Sequence, residues 1–139
     1  MFRMLDEDSP ISKEDFLQFE EILGKKLPEA MMDFYLKHNG GQPQVRGVHD
    51  EHHLFPFNSF DSLEEMRKSL TWYDDEAVPA GFRATDLLHF AYDPGSGNYA
   101  LSLREEDYGK VYFYVLEETA ELYGQWPSFE FFLNSFVEE

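Results

Sequence analysis

The densest run of chemically capable side chains is His49-Asp50-Glu51-His52-His53, five consecutive residues of metal-ligand type. On a strand, His49, Glu51 and His53 would share one face; in a loop, any subset could converge. A local run of ligands needs a distant partner to close a coordination sphere, and no His-x-x-x-His pair on a helix and no cysteine supports a zinc geometry. The run therefore reads as a solvated loop, and a metal-dependent enzyme using it is the minor alternative. Gly95-Ser96-Gly97-Asn98 has the look of a phosphate cradle, but the residues after it alternate like a strand rather than opening a helix, so it reads as a hairpin loop. Ser96 lacks the strand-to-helix setting of a nucleophile elbow. No catalytic residue, cofactor site or metal site is assigned.

Three acid runs remain: Asp74-Asp75-Glu76, Glu105-Glu106-Asp107 and Glu117-Glu118. They could pair as glycosidase carboxylates or hold a cation, but such runs are more often solvated strand ends and loops. A third reading is a docking face. Trp72 and Tyr73 lead directly into the first run, and Tyr108 follows the second. Aromatics ringed by acids suit contact with Lys- and Arg-rich protein surfaces.

Composition narrows the partners. Across 139 residues, 28 acids oppose 11 Lys and Arg, a net charge of -17. Such a surface repels nucleic acid and anionic membranes and favours a basic protein partner, met quickly through electrostatic steering. An apolar fraction of 42%, with 14 Phe and 8 Tyr, is ample for one core, so one domain over residues 1–139 is expected. The absence of cysteine excludes a disulfide scaffold and thiol catalysis. The N-terminus turns acidic by Asp6-Glu7-Asp8 and no apolar run follows, so the expected location is cytoplasmic.

The elements that must carry these residues are well punctuated. Ser12 with Asp15 resembles a capping box, Ile11 and Phe16 have staple spacing, and Phe16, Phe19, Ile22 and Leu23 make a helical stripe ended by Gly24. A second helix starts with Pro28 at its first position, carries Met31, Phe34, Tyr35 and His38 on one stripe, and stops at Asn39-Gly40-Gly41. The stretch from Gln42 to Val48 is a loop that can open into a strand, and Leu54-Phe55-Pro56-Phe57 is a short edge strand because it contains proline. Asp61-Ser62-Leu63-Glu64 predicts a second capping box and a helix to about Leu70 or Trp72. Strands follow: Leu87–Tyr92, with Leu88, Phe90 and Tyr92 opposite Leu87, His89 and Ala91; a half-buried partner from Tyr99; and Val111–Leu116, apolar on both faces. Ser128 caps a closing helix whose stripe is Phe129, Phe132, Leu133 and Phe136. The expectation is an α+β fold with a three-stranded antiparallel meander bracketed by helices.

In this arrangement the chain resembles the SUKH superfamily, relatives of the yeast cell-wall-synthesis regulator that occur widely as bacterial immunity proteins. The residues that carry the resemblance run from Ile11 through Phe16, Phe19-Glu20 and Leu23-Gly24 to Leu27-Pro28, Phe34-Tyr35-Leu36 and Asn39-Gly40-Gly41. Leu54-Phe55-Pro56, Phe90-Ala91-Tyr92-Asp93, Gly97-Asn98, Val111-Tyr112 and Ser128–Leu133 extend it along nearly the whole chain. The resemblance implies a sheet packed by helices on one side. It also implies an immunity role: binding and neutralising a cognate polymorphic toxin domain, often a nuclease, with no catalytic residue or cofactor. Trp72, Tyr73, Asp74, Asp75 and Glu76 are the candidate partner-binding residues. A signalling or scaffolding module binding endogenous proteins is the alternative from the eukaryotic branch.

Overall fold

The computed structural model describes residues 3–45, 47–116 and 120–137. The Glu117-Glu118 run, Arg46 of the expected loop and the first two residues lie outside them. In chain order the elements are β1 (Met4–Leu5), α1 (Lys13–Leu23), α2 (Glu29–Lys37), β2 (Gln42–Pro43), β3 (Gly47–His49), β4 (Leu54–Pro56), β5 (Ser59–Phe60) and α3 (Leu63–Ser69). Then follow β6 (Leu87–Tyr92), β7 (Gly97–Ser102), β8 (Val111–Leu116), β9 (Ala120–Trp126), α4 (Phe129–Leu133) and β10 (Phe136–Val137). Single 3-10 turns at Asp75–Ala77 and Ala84–Asp86 fill the span between α3 and β6. The class is α+β, as expected.

The main sheet is antiparallel with the order β5-β6-β7-β8-β9, so the meander has two strands more than its strongest sequence signals imply. Strand β5 is only two residues long, and β9 carries Glu121, Gly124 and Gln125, whose types argue against a buried strand. Side chains on the two faces of the sheet separate cleanly. Leu88, Phe90, Tyr99, Leu101, Val111 and Phe113 pack towards the helices. Leu87, Ala100, Tyr112 and Tyr114 point the other way and are covered by Val78, Phe82 and Ala84. Strand β7 is therefore buried on both faces rather than half-buried. Ala91 joins the helix side, against its expected alternation, because a register shift between His89 and Ala91 flips it across the sheet.

Phe16 and Phe19 of α1, Met31, Phe34 and Tyr35 of α2, Met66 of α3, and Phe129 and Phe132 of α4 fill the helical side. Phe132 lies at the centre of the aromatic packing, with ring centroids 5.0 Å from Trp126, 5.5 Å from Tyr99 and 5.6 Å from Phe90. Ile22 departs from the predicted stripe: at 60% exposure it is on the solvent side of α1. Phe136 is not on α4 either. It lies in β10, which pairs with β3 in a smaller sheet of order β10-β3-β4, and there β4 is the expected edge strand.

Local signals set most boundaries. Ser12 and Asp15 form a reciprocal capping box, and Gly24 ends α1 in the left-handed region at φ 76°. The second box is shifted one residue from its predicted position: Ser62, not Asp61, is the cap, and Glu65, not Glu64, returns the bond. Pro28 is likewise the N-cap rather than the first helical residue, and its carbonyl accepts from Met31 and Met32. Helix α2 ends at Lys37, ahead of Asn39-Gly40-Gly41, which has a different task. Asn39 is buried; its Nδ2 donates to the Ser9 carbonyl at 2.7 Å and its Oδ1 accepts from the Leu63 amide at 2.9 Å. Gly40, at φ 79°, lies so close to α3 that a Cβ would stand 2.7 Å from the Ser62 nitrogen.

Asn39 thus ties the N-terminal arm and the first turn of α3 to the end of α2. Asn39→Ala should lower the unfolding free energy by about 2–3 kcal/mol in urea titration, because it strands a buried amide. Ile22→Ala, on the exposed face of α1, should change it by less than about 0.5 kcal/mol.

Candidate partner-binding surface

Past Ser69 the chain turns through Leu70 and Thr71 and presents Trp72 to solvent at 72% exposure, the highest of any large hydrophobic among the described residues. Burying an indole is one of the larger gains a protein interface can offer. The four residues after it divide by role. Tyr73 is half-buried, its ring stacked on His89 at 3.7 Å and 9° and its hydroxyl donating to Asn98 Oδ1 at 3.3 Å. Asp74 caps the 3-10 turn, with Oδ1 accepting from the amides of Glu76 and Ala77. Asp75 Oδ1 accepts from the Ala84 amide at 2.9 Å and so ties the first 3-10 turn to the second. Glu76 is exposed. Of the five candidate residues, Trp72 and Glu76 are free to meet a partner. Tyr73, Asp74 and Asp75 hold the segment that presents them.

Beside Trp72 a cleft of about 480 Å³ opens between α3 and the sheet, walled by Asp61, Glu65, Tyr73, His89 and Asn98. His89 is 5% exposed, and its Nε2 is 2.6 Å from the Tyr114 hydroxyl. Burial pushes its imidazole down to about 4, so it is neutral at ordinary pH. Asp61 is placed by its backbone: its amide donates to the Phe90 carbonyl at 2.7 Å and its carbonyl accepts from the Tyr35 hydroxyl at 2.8 Å. Burial first, and the Glu65 carboxylate second, push its carboxyl up to about 7. Neither residue stands out in the sequence. Asp61 reads as a helix cap, and His89 is one polar residue in an apolar strand.

The other acid and histidine runs divide in the same way between local connectors and exposed side chains. The Asp107 carboxylate accepts from Arg104, from the Ser102 hydroxyl at 2.5 Å and from the Tyr112 hydroxyl at 2.5 Å. Burial acts upward on its carboxyl, but these donors outweigh it and hold the group well below the usual carboxylate range. Glu105 and Glu106 stay exposed, and the Tyr108 hydroxyl donates to the Lys26 carbonyl, bracing the turn against the α1–α2 connection. In the histidine run, Asp50 Oδ1 accepts from the amides of His52 and His53, forming a tight turn that splays the rings into solvent. Among the described residues no group of three His, Asp or Glu is disposed to hold a metal ion.

Most of the elements described above fall within one sequence-family match. The model of the SMI1 / KNR4 family (SUKH-1) matches residues 10–135. The chain belongs to the SUKH-1 family. No individual curated protein matches it. The family match covers α1 through Ser135, and so includes both the joint and the cleft of this SUKH-1 chain. Membership is consistent with an immunity-protein role. Among the described residues no helix is long and apolar enough to cross a membrane.

The cleft gives this SUKH-1 fold opposed pH dependences. Asp61 binds its proton more tightly folded than unfolded, so it lowers stability as pH rises from about 4 to about 7. His89 binds its proton less tightly folded, so it lowers stability as pH falls from about 6.5 to about 4. Asp61→Asn removes the first effect alone. The variant should match the parent near pH 4 and exceed it by about 2–4 kcal/mol near pH 8 in denaturant titrations across pH.

Proposed function

We propose that this chain is an immunity protein that binds a cognate polymorphic toxin domain and neutralises it by protein–protein contact. The observation that carries the reading is SUKH-1 membership over residues 10–135. Charge supports it and gives it direction. A toxin that cuts nucleic acid must present a basic surface to the phosphate backbone, and a domain of net charge -17 is complementary to such a surface. A nuclease toxin is therefore the favoured partner, met in the cytoplasm of the producing cell. Trp72 supplies a desolvating anchor, and Glu76 supplies rim charge beside it.

The test is co-expression with the C-terminal domain of the large toxin encoded next to this chain's gene. Restored growth, with a complex that co-purifies, is the expected result. A locus without a toxin neighbour, or a toxin that kills regardless, would favour the signalling-module reading. Within a complex, Trp72→Ala should weaken binding about tenfold or more, mainly through faster dissociation. Glu76→Lys should slow association at low salt and flatten its salt dependence. Asp74 and Asp75 are poor choices for charge reversal, since their carboxylates cap local backbone. Stopped-flow rates unchanged in both variants would remove this surface from the interface.

A further inference from the structure

We infer that the cleft between α3 and the β6–β7 hairpin is a receptor for one arginine side chain of the partner protein, with Asp61 and Glu65 taking the guanidinium and Trp72 closing over it. This deepens the immunity reading and rests on it for the partner's identity, not for the chemistry of the cleft.

Three independent features point to a planar cation with donors only. The first is the balance of donors and acceptors. The described residues send no hydrogen bond to the Asp61 carboxylate. Glu65 uses Oε1 on the Ser62 amide, and its second oxygen has no partner among the described residues. His89, 5% exposed, lines the cleft with its Nε2 2.6 Å from the Tyr114 hydroxyl, and burial holds it neutral, so it adds no positive charge to the site. A guanidinium brings five donors and no acceptor, and its fork matches a carboxylate. The second feature is the wall. Trp72, 72% exposed, and Tyr92, 40% exposed, both line the cleft and supply aromatic rings, on which guanidinium stacks more readily than ammonium. The third is electrostatic. Burial first, and the Glu65 carboxylate second, leave the Asp61 carboxyl half-protonated near neutrality, and a cation placed between the two acids would relieve both effects. Lys68 lines the same cleft, yet among the described residues no ion pair joins it to Asp61 or Glu65.

Proton linkage follows from the groups that face Asp61. Glu65 and Lys68 come from α3, Tyr73 from the loop after it, and His89 and Tyr92 from β6. Burial holds His89 neutral and Tyr73 protonated near pH 7, so Asp61 is the group whose ionisation a guanidinium would draw out. Binding should tighten several-fold from about pH 6 to about pH 8.

The experiment titrates the full chain with N-acetyl-arginine methylamide, followed by ¹H–¹⁵N NMR, with the lysine and citrulline analogues in parallel. Expected are shifts centred on the Trp72 indole, Tyr73 and Asn98, weaker binding of lysine, and none of neutral citrulline. Asp61→Asn, which preserves shape, should weaken arginine binding about tenfold. Trp72→Ala, a surface change with little risk to folding, should weaken it several-fold. Shifts spread evenly over the acidic surface, equal response to citrulline, or undiminished binding by Asp61→Asn would each overturn the inference. If the arginine analogue binds as described but toxin rescue fails, the immunity reading falls and the receptor stands. If rescue succeeds but the cleft does not respond, the receptor falls and the immunity reading stands.

Discussion

The structure depends on a three-way joint at Asn39-Gly40-Gly41. Asn39 donates and accepts from the same buried side chain, a double role that an ionised Asp could not fill towards Ser9 and Leu could not fill at all. Gly40 must follow because α3 arrives within contact distance of where a Cβ would be, and Gly41 must follow that because the Leu5 carbonyl is as close on the other side. At φ 79° and 107°, both glycines also occupy backbone conformations that other residues enter only with strain. One tripeptide therefore fixes how the N-terminal arm, α2 and α3 meet. The aromatic core fills the space between the helices and the sheet.

How legible this was in the sequence depends on where the determining contacts lie. Ser12, Gly24 and Ser128 act on residues within four positions of themselves, and the helix ends they predict are where they should be. Leu87–Tyr92 and Val111–Leu116 are strands at their predicted bounds, because burial on both faces leaves a nearly continuous apolar run, interrupted only by His89. The features without a local signal depend on distant partners. Strand β9 mixes Glu121, Gly124 and Gln125 with Leu122, Tyr123 and Trp126, and its strand form rests on pairing with β8. Phe136 keeps helical spacing from Phe132 but is claimed by Val48 in β10 pairing. The one-residue shift of the second capping box has the same origin. Either Asp61 or Ser62 could cap by local rules, and Asn39, holding the Leu63 amide from across the fold, decides for Ser62.

The acids show the same division. Composition reports a net charge of -17 but not which carboxylates are engaged. Asp15, Asp50, Asp74, Asp75, Asp93 and Asp107 each accept from backbone or side-chain donors, so they act as local connectors in caps and turns. Short side chains favour this use, since an aspartate reaches nearby amides at little entropic cost. The glutamates more often extend into water. A patch chosen from sequence by counting acids thus mixes two populations. The segment from Trp72 to Glu76 carries an exposed aromatic, but two of its three acids cap local backbone.

Asp61 belongs to neither population, and its position explains why a strained carboxylate can persist next to the joint. An acid in a half-closed cleft would ordinarily swing towards water, since ionisation is disfavoured where it stands. Here the backbone that carries it is held on both sides. The Phe90 carbonyl takes its amide, the Tyr35 hydroxyl holds its carbonyl, and the next residue, Ser62, is locked into the α3 cap against Gly40. Tyr35 is itself fully buried beneath α2, so the anchor is part of the core. The joint that orders the helices therefore also pins a partly buried carboxylate, without a partner among the described residues, at the wall of the cleft. A free-energy cost of this kind persists only where the surrounding structure over-determines it, and sites of that description are where proteins meet ligands. In this fold, scaffold and candidate site are consecutive residues: Asp61 faces the cleft and Ser62 faces the joint.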